Sequence, residues 1–90
     1  MAGSGKLMIY AVSDATGDLV VSIASAALRQ FAQQEGVQIV RRSRISTEER
    51  ISKVIREAKE GGGFVAFTLV SAERRQLLLS VAAEAQVPAV

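Results

Sequence analysis

Apolar runs and amphipathic runs take turns along this chain at nearly even spacing. "LMIYAV" (7–12), "VQIVRR" (37–42) and "FVAFTLV" (64–70) are too short for helices and partly β-branched, as buried strands are. Between and after them come stretches of helical period, the first from Asp18 to about Gln34. The last four residues, Val87-Pro88-Ala89-Val90, read as the start of a fourth strand. Strands separated by helices and short linkers imply parallel pairing with right-handed crossovers. The expected fold is therefore α/β: an open parallel sheet of about four strands (β-α-β-α-β-α-β) with helices on both faces, doubly wound. Residues 1–6 read as a loose start or tag remnant. Residues 7–90 read as one domain, the amino-terminal part of something longer or a unit that completes its layer with a partner.

Each helix carries local signals. In the first, Val20, Ile23, Ala24, Ala27, Leu28 and Phe31 form an apolar stripe, and Gly36 is placed to stop it in a left-handed conformation. In the second, Ser46 and Glu49 have capping-box spacing, and Ile51, Val54, Ile55 and Ala58 share one face. Glu49 with Lys53 and Arg56 with Glu60 are spaced for charge pairs, and Gly61-Gly62-Gly63 ends the run. In the third, Ser71 is the expected cap, with Leu77, Leu78, Val81 and Ala82 toward the core. The wholly apolar third strand is expected to be covered on both faces.

What the chain lacks narrows its chemistry. It has no Cys, hence no disulfide, thiolate nucleophile or cysteine metal site, and no His, hence no imidazole base or phosphohistidine. No catalytic set and no metal-ligand set are legible. Eleven basic against nine acidic residues, net +2, is too small an excess to suggest nucleic acid. No apolar run approaches the ~20 residues of a membrane span, and no signal peptide is visible. A soluble cytoplasmic domain, with neither nucleic acid nor membrane as partner, is the expectation.

Two glycine stretches invite a phosphate reading. "MAGSGKL" fails as a P-loop: Lys6 precedes Leu7 instead of Ser or Thr, and the strand follows the glycines instead of leading into them. "SDATGD" is better placed. Ligands of open parallel sheets bind beyond the carboxyl ends of the strands, where strand order reverses, and Ser13–Asp18 opens the first helix, whose leading amides carry partial positive charge. Gly17 permits close approach, and Ser13 and Thr16 offer hydroxyls. The competing explanation is plain capping by Thr16 or Asp18. Asp14 and Asp18 favour it, because a carboxylate ~4 Å from an anion costs about 1 kcal/mol even in water.

Arginine placement weighs on the other side. Arg41, Arg42 and Arg44 close the second strand, and Arg74 and Arg75 follow the third. Parallel strands put all three turns on one rim, and two charge-assisted hydrogen bonds, roughly 1.5–3 kcal/mol each, would outweigh the acidic pair. Arg41 and Arg42 alternate across the sheet, so one of them is expected to face away. The candidate anion site is Ser13, Thr16, Gly17, Arg41 and Arg42.

Three landmarks carry a family resemblance. "IYAVSDATGD", "VRRSRISTEERI" and "FVAFTLVSAERRQLL" resemble, in order and spacing, the amino-terminal region of the pyruvate, phosphate dikinase and phosphoenolpyruvate synthase regulatory proteins. The resemblance spans about Met8 to Val90. It departs around Arg42–Ser43, where a Phe-Pro pair is frequent, and at Asp18, where Glu is usual. It implies a bifunctional parent enzyme, a serine/threonine kinase and pyrophosphorylase. Such proteins use ADP to phosphorylate a threonine of the dikinase or synthase, and remove that phosphate by phosphorolysis with release of pyrophosphate. It implies that the nucleotide P-loop lies in the carboxyl-terminal part, so that ADP/ATP and phosphate belong to the whole protein, with no cofactor on this stretch and no activity from it alone. The alternative is a non-catalytic α/β binding or dimerisation module. The small-residue face Ser22, Ala24, Ser25, Ala26 and Ala27 would let a homodimer pack closely.

Overall fold

Period-two burial along the first strand organises the molecule. The computed structural model describes residues 7–30 and 37–90, arranged as β1 (Leu7–Ser13), α1 (Asp18–Gln30), β2 (Val37–Arg42), α2 (Glu48–Gly61), β3 (Phe64–Thr68) and α3 (Ala72–Ala85). The strands form an open sheet in the order β2-β1-β3, all parallel. Ile9 of the central strand lies opposite Ile39 on one side and Phe64 on the other. Tyr10 and Val12 join Ile51, Val54, Ile55 and Ala58 of α2 and Leu78 and Ala82 of α3 in one apolar cluster. The alternate residues Ile9 and Ala11 are buried outside that cluster, as are Val20 and Ala24 of α1. The helices α2 and α3 pack on each other, while α1 touches all three strands. Among the described residues no helix is long and apolar enough to cross a membrane.

At the chain end, Val65 N–H donates to Pro88 O at 2.9 Å, Val90 N–H to Val65 O at 2.9 Å and Phe67 N–H to Val90 O at 3.0 Å. These bonds make a parallel bridge between Val65 and Ala89. Three strands and one bridge stand where about four strands were expected.

Several local expectations shift. Ile23, read as part of the core stripe, is 55% exposed. The helix rests on Val20 and Ala24, one turn apart, which turns Leu19 and Ile23 outward. Of β3 only Val65 is fully buried; Phe67, on the same face, packs only partly on the α2–α3 cluster, and β3 has a full partner strand on only one side. The cap of α2 is Thr47, not Ser46: Thr47 has extended backbone and its hydroxyl accepts from Arg50 N–H at 3.2 Å. Ser71 caps α3 as expected, accepting from Arg74 N–H at 3.3 Å. Neither Glu49–Lys53 nor Arg56–Glu60 is among the ion pairs formed by the described residues, since holding two long exposed side chains together costs about what it gains. The expectations for Phe31, Gly36, residues 1–6 and the helix beyond Gln30 lie outside the described residues.

The α2–β3 connection divides labour among its glycines. Gly62 adopts φ 69° and its N–H turns back to Lys59 O, closing the helix. Gly63 then passes against Met8 of β1, where a Cβ would stand 2.3 Å from the Met8 carbonyl oxygen. The helix can hand over to an adjacent strand only because Gly63 has no side chain.

Candidate functional site

The turn after β1 is built around Ser13, the last strand residue and 4% exposed. Its Oγ accepts from Ala15 N–H at 3.0 Å, and Thr16 Oγ1 accepts from Asp18 N–H at 3.3 Å. Gly17 takes φ 87° and its carbonyl accepts the Val21 N–H at 3.0 Å, the bond that starts α1. Both neighbouring turns are tied to this one. Ile45 N–H donates to Ser13 O and Arg44 N–H to Ala15 O, each at 2.9 Å. From the other side, Asp14 Oδ2 accepts from Val70 N–H at 3.1 Å and sits 3.5 Å from the Arg74 guanidinium. All three turns thus share one rim, as parallel winding demands. Between the first and third of them opens a cavity of about 330 Å³, lined by residues 13–19, residues 67–70 and Arg75.

The arginines divide by strand alternation. Arg41 lies beside the turn, its guanidinium donating to Thr16 O at 2.9 Å and to Asp18 Oδ1 at 2.7 Å. Arg42, one residue on, faces α2 and grips Glu57 with two bonds of 3.0 Å each. The structure therefore brings Ser13, Thr16, Gly17 and Arg41 together and places Arg42 elsewhere. Arg50 donates to Arg44 O at 3.3 Å, and Arg75 donates to Leu69 O at 2.8 Å and Val70 O at 2.9 Å.

The acidic pair that spoke against an anion site is neutralised in place. The hydrogen bond from Arg41 holds the Asp18 carboxyl below its ordinary pKa, and Asp14 is satisfied by Val70 and Arg74. The role of Asp14 as a tie between two turns separated by more than fifty residues escaped the sequence reading. An Asp directly after a strand, facing a turn-and-helix start, was the only signal for it.

Two expected results follow from this geometry. Gly17→Ala should cost about 1–2 kcal/mol, because the left-handed conformation resists a side chain and the new Cβ would press on Arg41 Cγ at 3.2 Å. Urea denaturation would read this, and unchanged stability would remove the constraint. The second concerns pH. The Arg42 hydrogen bond lowers the Glu57 pKa from 4.5, and Glu57 reciprocally raises that of Arg42. A carboxyl with a lower pKa folded than unfolded stabilises fully above its unfolded pKa, and loses that contribution as pH falls through the folded one. Both side chains are about one-third exposed, so solvent screening holds the pair to about 1 kcal/mol or less. Glu57→Gln should therefore lower stability by that amount at pH 7, and the difference should fade as pH drops below 4.5 and through the lowered folded pKa, as melts across pH would show.

Comparison with known proteins agrees with the landmarks of the sequence. The family model described as kinase/pyrophosphorylase matches residues 9–90. A protein of Alkaliphilus oremlandii (strain OhILAs), named as a pyruvate, phosphate dikinase regulatory protein, is 34% identical over 83 residues, 92% of this chain and 30% of that protein. One from Syntrophomonas wolfei, similarly named, is 38% identical over 85 residues, 94% of this chain and 30% of its own length. One from Geobacter metallireducens is 44% identical over 70 residues, 78% of this chain and 26% of its length. The chain spans less than a third of the length of these relatives. With all but the first eight residues matched, this chain belongs to the kinase/pyrophosphorylase family.

Proposed function

We propose that the chain is the amino-terminal domain of an ADP-dependent serine/threonine kinase and phosphate-dependent pyrophosphorylase of the cytoplasm. Its target would be pyruvate, phosphate dikinase or phosphoenolpyruvate synthase. The observation that carries this is the family match over residues 9–90, supported by the relatives' names. No Gly-x-x-x-x-Gly-Lys-Ser/Thr occurs in these ninety residues, so the nucleotide loop and the phosphoryl-transfer residues would lie elsewhere in the parent. Within the domain, the Val65–Ala89 bridge supports residues 87–90 as the start of a fourth strand in a doubly wound sheet.

The domain's own part would be to hold an anion, inorganic phosphate or a phosphothreonine side chain, at the turn after β1. Ser13 and Thr16 supply hydroxyls, Gly17 permits approach, and Arg41 cancels the Asp18 charge that would otherwise repel it. Arg42, committed to Glu57, is not required.

The test uses the parent protein with its dikinase. ADP should bring phosphothreonine on the dikinase, and inorganic phosphate should release pyrophosphate from the phosphorylated form, while the ninety-residue chain does neither. A parent inert in both directions would end the proposal.

One observation favours the assembly alternative. The exposed face of α1 carries Leu19, 63% exposed, and Ile23, 55% exposed, and no charged residue lies between Asp18 and Arg29. If that face pairs with a second copy, sedimentation of the chain should show a dimer that Ile23→Glu disperses. A monomer at all concentrations would exclude it.

A further inference from the structure

A charge count around the cavity singles out one side chain. Asp18 is paired with Arg41 at 2.7 Å, and Asp14 stands 3.5 Å from Arg74. Those four charges cancel in pairs. Arg75 also lines the cavity, and its described partners are not acids but the carbonyls of Leu69 and Val70. Both of those bonds come from a single terminal nitrogen, NH1. They fix the guanidinium on the loop and leave the Nε–H and the two hydrogens of the other terminal nitrogen without a partner among the described residues. Of the charged residues that line the cavity, Asp14 and Asp18 are each paired with an arginine outside the lining, and Arg75 has no acidic partner among the described residues.

The remaining walls say what would sit there. Ser13, Thr16 and Thr68 bring hydroxyls to the polar side. Leu19 and Val70 stand at the lip, and Val70 is 86% exposed. A planar guanidinium with free donors suits a phosphoryl group better than a point charge would. An apolar lip suits a phosphoryl group carried on an organic residue more than a fully hydrated ion. The cavity also lies between β1 and β3, the strands on either side of the chain's reversal in sheet order, where open parallel sheets bind ligands.

We infer that Arg75 supplies the cation for a phosphate monoester seated between the Ser13–Leu19 turn and the Phe67–Val70 segment, and that Arg41 and Arg42 do not contact it. This rests on the anion reading of the turn proposed above and adds to it a residue and a wall. Inorganic phosphate and a phosphothreonine side chain share the recognised chemistry, and the apolar lip favours the second.

The experiment is an NMR titration of the ninety-residue chain with inorganic phosphate, with a short phosphothreonine peptide, and with the same peptide unphosphorylated. The expected result is amide shifts in residues 13–19 and 67–70 and a shift of the Arg75 Nε–H signal. The phosphopeptide should bind about tenfold tighter than phosphate, as burial of a small apolar area predicts, and the unphosphorylated peptide should leave these signals in place. Arg75→Gln should weaken binding about tenfold or more, and Arg56→Gln, on the outer surface of α2, should not. Because Arg75 also secures the loop carbonyls, the Nε–H signal of the unaltered chain reads the contact even if the variant folds poorly. Shifts in the turn with an unmoved Arg75 signal would overturn the inference and leave the turn as an anion site. Shifts in neither place, or only around Arg44 and α2, would overturn both.

Discussion

Gly63→Ala should lower stability by about 3 kcal/mol or more and Tm by at least about 10 °C, the largest effect expected of a methyl added at any described glycine. An added Cβ would lie 2.3 Å from the Met8 carbonyl oxygen and 2.9 Å from Met8 Cβ. Neither can yield cheaply. Met8 belongs to the central strand, held by parallel ladders to β2 and β3, so relief requires moving β1 or withdrawing the end of α2. Gly62→Ala is the internal control. Nothing lies within 4 Å of a Cβ there, so only the φ of 69° opposes it, a cost of about 1 kcal/mol. Thermal melts of the two variants should differ by several degrees. Equal, small losses would show that the β1–Gly63 approach is looser than the structure has it.

Leu78→Ala should cost about 3 kcal/mol, within the usual 2–5 for a buried leucine. Leu78 is fully buried, in one cluster with Ile51, Ile55, Val65 and Ala82. It stands where α3 meets α2, and the backbone of both helices is capped at each end, so the cavity left by truncation cannot collapse easily. Urea denaturation should show a lower midpoint with little change in slope. Leu79→Ala, one residue on and 45% exposed, should fall within about 1 kcal/mol of the parent. Comparable losses at the two sites would contradict the packing described.

The strands and helices were legible because each carries its own periodicity. β2 begins and ends as read, Val37–Arg42, and the stripe Ile51, Val54, Ile55 and Ala58 is buried as read. Misreadings fell where two local choices are nearly equal in energy. Ser46 and Thr47 can both cap a helix, and the geometry of the incoming loop selects Thr47. Gln86 ends α3 at φ 61°, a left-handed stop with no glycine to announce it, held by its N–H bond to Ala83 O and the Val87 bond to Ala82 O.

The candidate site was legible in outline only. That Ser13, Gly17 and Arg41 would meet followed from parallel winding, and that Arg41 and Arg42 would diverge followed from strand alternation. Which of the two turned inward was not readable, because alternation fixes a relation between neighbours and not the face that either one occupies. Likewise, an acidic residue in a sequence is a bare negative charge. Asp14 and Asp18 lost their force against an anion only when Arg74 and Arg41 were found beside them.

Taken alone, then, the order of apolar and amphipathic runs determined that this chain winds as parallel β/α units, since helical and extended periods cannot be exchanged without burying polar groups. It determined as well that no thiol or imidazole chemistry is available here. Tertiary structure alone decided which arginine faces α2, which aspartates are paired, and that Arg75 enters the cavity wall without an acidic partner among the described residues. Those outcomes depend on distances between residues far apart in the chain, and a charge in salty water acts over only about 10 Å.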